Sequence, residues 1–376
     1  MTEHRHYLHA HPELSFQEEN TAEYIKKNLK SCGIPFTQIE GYHSVIGRLK
    51  GGRPGKTVAI RADIDALPMQ EQNDVEYRST VPNVMHACGH DAHTAVLLGL
   101  ARLLSEDRDK ISGEILFLFQ HGEEKLPGGA VTLVEQGVLD GVDAVLGAHV
   151  FAPIPLGTVC YNEEALTASA DVFEIILSGK GGHAAQPHLC SDVLLAGTTL
   201  VQQLQSVVSR DVDPLASAVL SVCEFQSGTN FNIIPDRCKL GGTVRTLDEG
   251  ARAAVEKRIR TITAALAGAQ DLRFEIQYEK GYPVMNCDPR RVEKAVQAIR
   301  SMTDYTVAKM KPSMGGEDFA YYTQKAPGVF FFVGGGNPEK GIISAHHSPS
   351  FNIDEQAISV MAEVLLAAYY SVVSEA

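Results

Sequence analysis

The chain has 376 residues, of which 44% are hydrophobic and 21% are charged, a composition typical of a globular protein with a large apolar core. Its formal net charge of −13 at pH 7 argues against nonspecific binding to nucleic acid or to anionic membranes, because either would need a basic patch. The length predicts two or three domains.

The sequence also predicts where the protein works. No stretch reaches the roughly 18 consecutive apolar residues that a membrane-spanning helix needs. The first six residues lead into no hydrophobic signal segment. The seven cysteines are an odd number without CxxC pairing, which fits a reducing compartment better than a disulfide framework. We therefore expect a cytoplasmic protein.

Strands and helices alternate through the first part of the chain, which predicts an α/β fold with a parallel or mixed sheet. The polar residues 9–15 come first, and Pro12 among them suits a turn or a helix start. The predicted elements are then a helix over 21–32, strands over 45–49 and 57–60 separated by a glycine-rich turn at 51–55, a helix over 94–104, a strand over 113–120, a helix over 130–136 and a strand over 142–148.

The order of the elements changes near Ala168. The elements predicted after it are a strand over 171–178, a helix over 192–208, strands over 218–224 and 239–245, a helix over 251–266 and a strand over 273–278. This is the order of a ferredoxin-like α+β sandwich. The alternation of strands and helices then returns, with a helix over 289–302, a strand over 329–333 and a helix over 353–370. We therefore predict one domain from 1–167 and 283–376, interrupted by an inserted domain at 168–282.

Polar side chains follow several predicted strands of the first domain. Asp63 follows the strand over 57–60, Glu123 and Glu124 follow the strand over 113–120, and His149 comes directly after the strand over 142–148. Because open α/β sheets bind ligands beyond the carboxyl ends of their strands, we expect these groups to converge. A Glu-Glu pair by itself is typical of a solvated turn, but the apolar strand before it favours a functional position.

The segment 85–93, with the sequence MHACGHDAH, offers a thiol, three imidazoles and a carboxylate, all of which can bind a transition metal. It lies where a loop enters the N-terminus of a predicted buried helix. A surface loop that happens to be rich in histidine is the alternative interpretation. The carboxylates expected nearby favour a metal site.

These motifs together resemble the M20 metallopeptidase family, and within it the amidohydrolase branch of N-acyl-amino-acid deacylases, hippurate hydrolases, N-acetyldiaminopimelate deacetylases and plant auxin-conjugate hydrolases. The motifs that carry the resemblance are HAHPELS at 9–15, RADIDALP at 61–68, the segment 85–93, the glutamates at 123–124, GAH at 147–149, GGHAA at 181–185, NIIPD at 232–236 and HSP at 347–349. One departure is visible, because His121-Gly122 stands where the branch commonly has Pro-Ala. We expect that difference to affect substrate specificity rather than the chemistry.

The resemblance implies a metallo-aminopeptidase-like catalytic domain with two divalent metal ions and a smaller inserted lid domain through which such proteins often form homodimers. The metal ligands that it implies are Cys88, His90, Glu124, His149 and His347. Glu123 would be the general base, and Asp63 would orient the ligands. His346 is the main rival of His347, which is preferred because it directly precedes Ser-Pro. His86, Asp91, His93 and His188 are candidates for supporting partners of the ligands.

The inserted domain carries the remaining candidates. By resemblance, His183 in the glycine-rich loop would reach the oxyanion of the substrate, often across a dimer interface; a turn histidine is the alternative. Asn232 and Arg245 are candidates for holding polar groups of the substrate, and the fork of an arginine suits a carboxylate. A plain surface position is the alternative for Arg245. The glycines at 334–336 lack the Lys and Ser/Thr of a P-loop, so phosphate binding is dismissed.

The expected activity is metal-dependent hydrolysis of the amide bond of N-acyl amino acids or related small conjugates. A thiolate from Cys88 favours zinc over magnesium or calcium, while the nitrogen and oxygen ligands also permit manganese, cobalt or nickel. A dipeptidase or carboxypeptidase that uses the same centre is the nearest alternative. A non-catalytic metal- or metabolite-binding scaffold is a further one, against which the intact Glu123 and Asp63 argue.

Overall fold

The computed structural model describes residues 1–374 and contains two larger β-sheets, one in each of two units of the chain. Unit 1 holds residues 1–166, 286–311 and the chain from 318 onward. Unit 2 holds residues 167–285 and 312–317. The second unit is therefore inserted into the first in sequence.

The elements follow in chain order. The helices of the described residues are α1 (Thr2–Ala10), α2 (Glu19–Ser31), α3 (His90–Glu106), α4 (Gly129–Glu135), α5 (Val193–Ser206), α6 (Glu249–Ala269), α7 (Pro289–Met302), α8 (Ala320–Thr323) and α9 (Gln356–Val373). The strands are β1 (Phe36–Gln38), β2 (Val45–Lys50), β3 (Arg53–Asp63), β4 (Ser112–Gln120), β5 (Ala144–Pro155), β6 (Thr158–Tyr161), β7 (Ala165–Thr167), β8 (Asp171–Ser178), β9 (Gly182–His183), β10 (Ala218–Ser227), β11 (Ile233–Ile234), β12 (Arg237–Thr246), β13 (Arg273–Glu279), β14 (Met285–Asn286), β15 (Thr306–Lys309) and β16 (Gly328–Gly336).

The large sheet of unit 1 has eight strands in the order β1-β2-β4-β3-β5-β16-β6-β15. Its centre is parallel, since β4, β3, β5 and β16 all run in the same direction, while β2 and β6 pair antiparallel with their neighbours β4 and β16. The central strands are continuous apolar runs that are buried on both faces, as parallel strands usually are. The prediction of a mixed α/β sheet is confirmed.

The sheet of unit 2 has four antiparallel strands in the order β10-β12-β8-β13, and α5 and α6 pack against it. The chain order of these elements is strand, helix, strand, strand, helix, strand. Both the chain order and the spatial order, in which the fourth strand lies beside the first, are those of a ferredoxin-like fold. The prediction of a ferredoxin-like α+β unit is confirmed.

The closing helix α9 is the core helix of unit 1. It is long and apolar enough to cross a membrane by length and composition alone, with a mean hydropathy of 1.5 over 18 residues, but 61% of that stretch is buried inside the protein. It packs against α3, α7 and the strands β3, β5 and β16. The sequence showed no membrane-spanning stretch here because Ser359 and Glu363 interrupt the apolar run of this helix.

Three sequence predictions about elements in unit 1 are wrong. Asp63 does not follow its strand but is the last residue of β3. His149 does not follow a strand but lies inside β5, because the strand continues through Val150 to Pro155 in parallel pairing with β16. The predicted glycine-rich turn at 51–55 is shorter than expected, because β3 already begins at Arg53.

The helix α1 was not predicted, and two of its three buried side chains, Arg5 and His9, are polar beside the buried Leu8. Within it, Arg5 and His9 are each 1% exposed. The His9 ring pairs with Asp91 at 2.9 Å and with Glu71 at 3.1 Å. Burial opposes a charge on this ring, but the two carboxylates outweigh it and raise the pKa of His9 to about 9. An ion-pair network therefore holds α1 against the start of α3.

Candidate metal centre

The metal-ligand candidates of unit 1 are brought together at the carboxyl end of the parallel strands. Asp63 is the last residue of β3, and Cys88 and His90 lie at the N-terminus of α3. Four overlapping groups have potential ligand atoms within 4.8 Å of one another: Cys88, His149 and His346; His90, His93 and His149; Cys88, Glu124 and His347; and His90, Glu123 and Glu124. The five predicted ligands and the predicted general base are all among them.

Gly89 separates Cys88 from His90 and cannot be replaced without strain. Its φ is +99°, in the left-handed region, and a Cβ atom there would lie 2.4 Å from Cγ1 of Val150. The chain can therefore turn sharply between the two ligand candidates only because this residue has no side chain.

His90 presents one specific nitrogen to the centre. Its Nδ1 lies 3.0 Å from the backbone oxygen and 3.2 Å from Oδ1 of Asp65, so this nitrogen donates and Nε2 faces inward. The Nε2 atom is buried and has no hydrogen-bond partner among the described residues. It lies 3.5 Å from an oxygen of Asp63 and 3.9 Å from an oxygen of Glu124. A buried nitrogen aimed at two carboxylates fits a cation between them.

His149 and Cys88 form a second pair. The Nδ1 atom of His149 donates to the backbone oxygen of Val150 at 2.6 Å, which leaves the Nε2 lone pair facing Sγ of Cys88 at 3.4 Å. Burial, together with the neighbouring His93 and His346, lowers the pKa of His149 well below its ordinary value. The ring is therefore neutral and able to act as a metal ligand.

The thiol of Cys88 lies in a strongly acidic environment. Burial, followed by the charges of Glu124, Glu123 and Asp63, raises its pKa well above the ordinary value. A thiolate at this position needs a cation beside it, so the donor set of thiolate, imidazoles and carboxylates fits divalent transition metals.

Two histidines of the cluster are already engaged at both ring nitrogens. His93 contacts Oδ1 of Asp63 through Nδ1 at 2.6 Å, and its Nε2 accepts from the backbone N–H of Val150 at 3.0 Å. His346 accepts from the backbone N–H of Ala152 through Nε2 at 3.1 Å, and its Nδ1 lies 3.7 Å from Sγ of Cys88. A neutral ring whose second nitrogen accepts a hydrogen bond carries its proton on the first, so neither histidine offers a lone pair to a metal.

His347 differs from His346 in this respect. Its Nε2 lies 3.2 Å from Oε1 of Glu124, and its backbone N–H donates to the oxygen of Ala87 at 2.9 Å. Its φ is +58°, a left-handed conformation that is rare for a residue with a side chain. The strained backbone aims the ring at Glu124, which supports the preference for His347 as the ligand.

The two glutamates after β4 lie in a turn that is anchored by backbone hydrogen bonds. Gly122, with a φ of +62°, donates its N–H to Oε1 of Glu18 at 2.7 Å, and the N–H of Glu124 donates to Oδ2 of Asp65 at 2.9 Å. Glu123 is 7% exposed and lies in one group with His90 and Glu124. The backbone anchors on either side therefore hold both carboxylates at the cluster.

Asp63 is held in its charged form. Burial alone would raise its pKa, but the guanidinium of Arg61 and then His90 and His93 keep it well below the ordinary value. Arg61 donates to Oδ2 of Asp63 at 2.6 Å and to Oδ1 of Asp318 at 2.7 Å. Asp63 thus contacts Nδ1 of His93 at 2.6 Å and lies 3.5 Å from Nε2 of His90.

Asp65 is a functional residue that was not predicted from the sequence. Asp65 contacts His90 and Glu124 and accepts from the hydroxyl of Ser15 at 2.7 Å. The signal was the Asp-x-Asp spacing in RADIDALP, which places a second carboxylate two residues beyond the first.

The remaining candidates, His183, Asn232 and Arg245, belong to unit 2. His183 is exposed on the short strand β9, and its Nδ1 accepts from the N–H of Ala185 at 3.1 Å, so Nε2 carries the proton. The backbone oxygen of Asn232 accepts from Ala184 at 3.0 Å. Nη1 of Arg245 lies within reach of three oxygens, on Thr243, Val244 and Asp171.

The fold and the cluster together define a two-unit metallohydrolase. A family model described as peptidase family M20/M25/M40 matches residues 59–371. The chain belongs to this family and is a hydrolase of its amidohydrolase branch.

Three similar proteins illustrate the relationship. An N-acyl-L-amino acid amidohydrolase of Geobacillus stearothermophilus is 47% identical over 300 residues, which cover 79% of this chain and 81% of that protein. Thermostable carboxypeptidase 2 of Saccharolobus solfataricus is 39% identical over 372 residues, with 98% and 94% covered. The crystal structure of Bacillus subtilis YxeP, described as a dinuclear metal-binding peptidase of the M20 family, superposes with a TM-score of 0.85 at 35% identity, with 98% and 97% covered.

The protonation of the cluster predicts how metal affinity depends on pH. Burial opposes a charge on His90, but Asp63 and Asp65 outweigh it and raise its pKa to about 10, so the metal-free ring is protonated at neutral pH. The Cys88 thiol is protonated as well. Because a metal must displace these protons, its association constant should rise about tenfold per displaced proton for each pH unit gained, from about pH 6 to about pH 9. Chelator competition at several pH values measures this slope, and an affinity independent of pH would contradict it.

Proposed function

We propose that this protein is a metal-dependent amidohydrolase that cleaves the amide bond of N-acyl amino acids or related small conjugates. The observation that carries the proposal is the convergence of potential ligand atoms from a cysteine, imidazoles and carboxylates beside a buried second glutamate, Glu123. The similarity to an N-acyl-L-amino acid amidohydrolase supports the substrate class.

We assign five metal ligands within unit 1. They are Cys88, His90, Glu124, His149 and His347. The assignment is supported by the orientation of each ring, because His93 and His346 have both nitrogens engaged while Nε2 of His90 has no partner among the described residues. Two divalent ions are proposed, chosen from zinc, manganese, cobalt and nickel, since the thiolate disfavours magnesium and calcium.

The residues of the chain divide the chemistry between them. When bound, two divalent ions supply a water of lowered pKa and polarise the substrate carbonyl. Glu123 accepts the proton of the attacking water and returns it to the nitrogen of the leaving amine. Asp63, through His93, and Asp65, directly, hold the ligand rings in their required orientation.

The inserted domain predicted at 168–282, which lies within unit 2, is proposed to serve as a lid. In this role Nε2 of His183 donates to the developing oxyanion, while Asn232 and Arg245 hold polar groups of the substrate. We further propose a homodimer formed through this unit and a cytoplasmic location. A monomer in sedimentation velocity would contradict the dimer.

A carboxypeptidase is the second candidate function, because thermostable carboxypeptidase 2 aligns with 98% of the chain. The two activities use the same centre and differ in the group that occupies the acyl side of the scissile bond. A substrate screen therefore separates them.

The screen compares N-acetyl, N-benzoyl and N-succinyl amino acids with dipeptides and N-blocked peptides, using protein loaded with zinc, manganese or cobalt. We expect release of free amino acid and carboxylic acid from the N-acyl substrates, and slower turnover of the peptides. Preferential cleavage of peptides would favour the carboxypeptidase. A metal-loaded protein inert on every substrate would refute hydrolysis and revive a metal-binding scaffold.

Glu123→Gln tests the general base. The amide keeps the size of the side chain but cannot accept the proton, so kcat should fall by about 10²–10⁴-fold. Metal content, measured by plasma emission spectrometry, should stay at the wild-type level because Glu123 is not among the assigned ligands. As a matched control, Glu124→Gln should lose metal as well as activity. A Glu123→Gln enzyme with near wild-type turnover would refute the assignment.

A further inference from the structure

His346 lies beside the metal cluster without being one of the assigned ligands. Its ring stacks on Phe151, with ring centres 5.0 Å apart and planes inclined by 19°, and it also packs against Phe351. The aromatic contacts and one backbone hydrogen bond from Ala152 fix the plane of the ring. Its Nδ1 edge faces Cys88, whose backbone also contacts the ring, and Nδ1 lies 3.7 Å from the sulfur.

The backbone decides which nitrogen of this ring carries a proton. A backbone amide can only donate, so the contact from Ala152 N–H requires a lone pair on Nε2 of His346. The proton of the ring then sits on Nδ1, 3.7 Å from Sγ of Cys88, within hydrogen-bond distance for sulfur. The ring is therefore a donor toward the thiolate.

The other histidine at the sulfur cannot take this role. Nδ1 of His149 donates to the oxygen of Val150, so its Nε2, 3.4 Å from Sγ of Cys88, carries a lone pair. The negative charges of Glu124, Glu123 and Asp63 also disfavour a negative charge on the sulfur. A thiolate among carboxylates is stabilised by an N–H donor as well as by the metal.

We propose that His346 is a positioning residue that donates a hydrogen bond from Nδ1 to the metal-bound thiolate of Cys88. This rests on the proposed metal site, since it takes Cys88 to be a ligand. The hydrogen bond orients the sulfur and withdraws electron density from it, which sets both the affinity of the site and the character of the metal–sulfur bond.

Two variants of similar polarity separate the two contacts of the ring. In His346→Asn the amide group reaches the place of Nδ1 and can still donate to Sγ of Cys88, but it loses Ala152. In His346→Gln the amide group reaches the place of Nε2, so it keeps Ala152 and loses the sulfur. The pair distinguishes the hydrogen bond to sulfur from a general packing role.

The readout is the thiolate-to-cobalt charge-transfer band of the full-length protein, stripped of metal and reloaded with Co²⁺. Cys88→Ser identifies the band by abolishing it. In His346→Gln the band should move to lower energy, because the sulfur lone pairs are no longer stabilised, and cobalt affinity should fall about tenfold. In His346→Asn the band should stay near its wild-type position.

Several results would overturn the proposal. An unshifted band in His346→Gln would show that His346 does not donate a hydrogen bond to the sulfur. The loss of one cobalt ion in that variant would show that His346 is a ligand instead. A wild-type protein without the band would refute Cys88 as a ligand, and with it the metal site itself, whereas a band that is present but insensitive to His346 refutes only the present inference.

A second measurement reads the tautomer in the wild-type protein itself, and the variants serve only to assign its resonances. In the zinc-loaded wild-type protein, ¹⁵N NMR of selectively labelled histidine reports which ring nitrogen carries the proton. We expect the resonances of His346, identified by their absence in His346→Asn or His346→Gln, to show a protonated Nδ1 and an unprotonated Nε2. A proton on Nε2 would overturn the proposal.

Discussion

Two carboxylates at the end of β3 determine which nitrogen each histidine of α3 presents to the centre. Asp65 contacts Nδ1 of His90 and turns Nε2 inward, while Asp63 contacts Nδ1 of His93 and leaves its Nε2 to accept from Val150. The buried guanidinium of Arg61 keeps Asp63 charged. Because the strand is fixed in the middle of a parallel sheet, these orientations exist before any metal arrives, and little ordering is left for metal binding to accomplish.

The backbone of β5 sets the state of two further histidines in opposite ways. The oxygen of Val150 takes the Nδ1 proton of His149 and leaves a lone pair for a metal, whereas the N–H of Ala152 occupies Nε2 of His346 and leaves a proton for the sulfur. One stretch of strand therefore produces a ligand and a hydrogen-bond donor that both face the sulfur of Cys88. Identical side chains acquire different chemistry because one meets a carbonyl and the other an amide.

The sequence allowed the fold class and the cluster to be predicted, because both depend on patterns visible along the chain: apolar strands followed by polar residues, and close ligand spacing at 85–93. The tautomers could not be predicted, since they depend on contacts with Asp63, Asp65 and the backbone of β5, which lie far from most of these histidines along the chain. The helix α1 was missed for a related reason. Its buried face has a single apolar residue, Leu8, beside Arg5 and His9, whose burial is stabilised by distant carboxylates, and one apolar position gives no periodicity to detect.

The turns that carry the ligands share one conformational feature. Gly89 lies between two ligands, Gly122 precedes the glutamate pair, and His347 is itself a ligand candidate, and all three have a positive φ. Glycine adopts this region readily, but His347 does so at a cost of about 1–2 kcal/mol. Its backbone hydrogen bond to Ala87 and its approach to Glu124 hold it there. A strained residue retained at the point where two ligand-bearing segments meet indicates that the position of its ring, rather than local stability, determines its conformation.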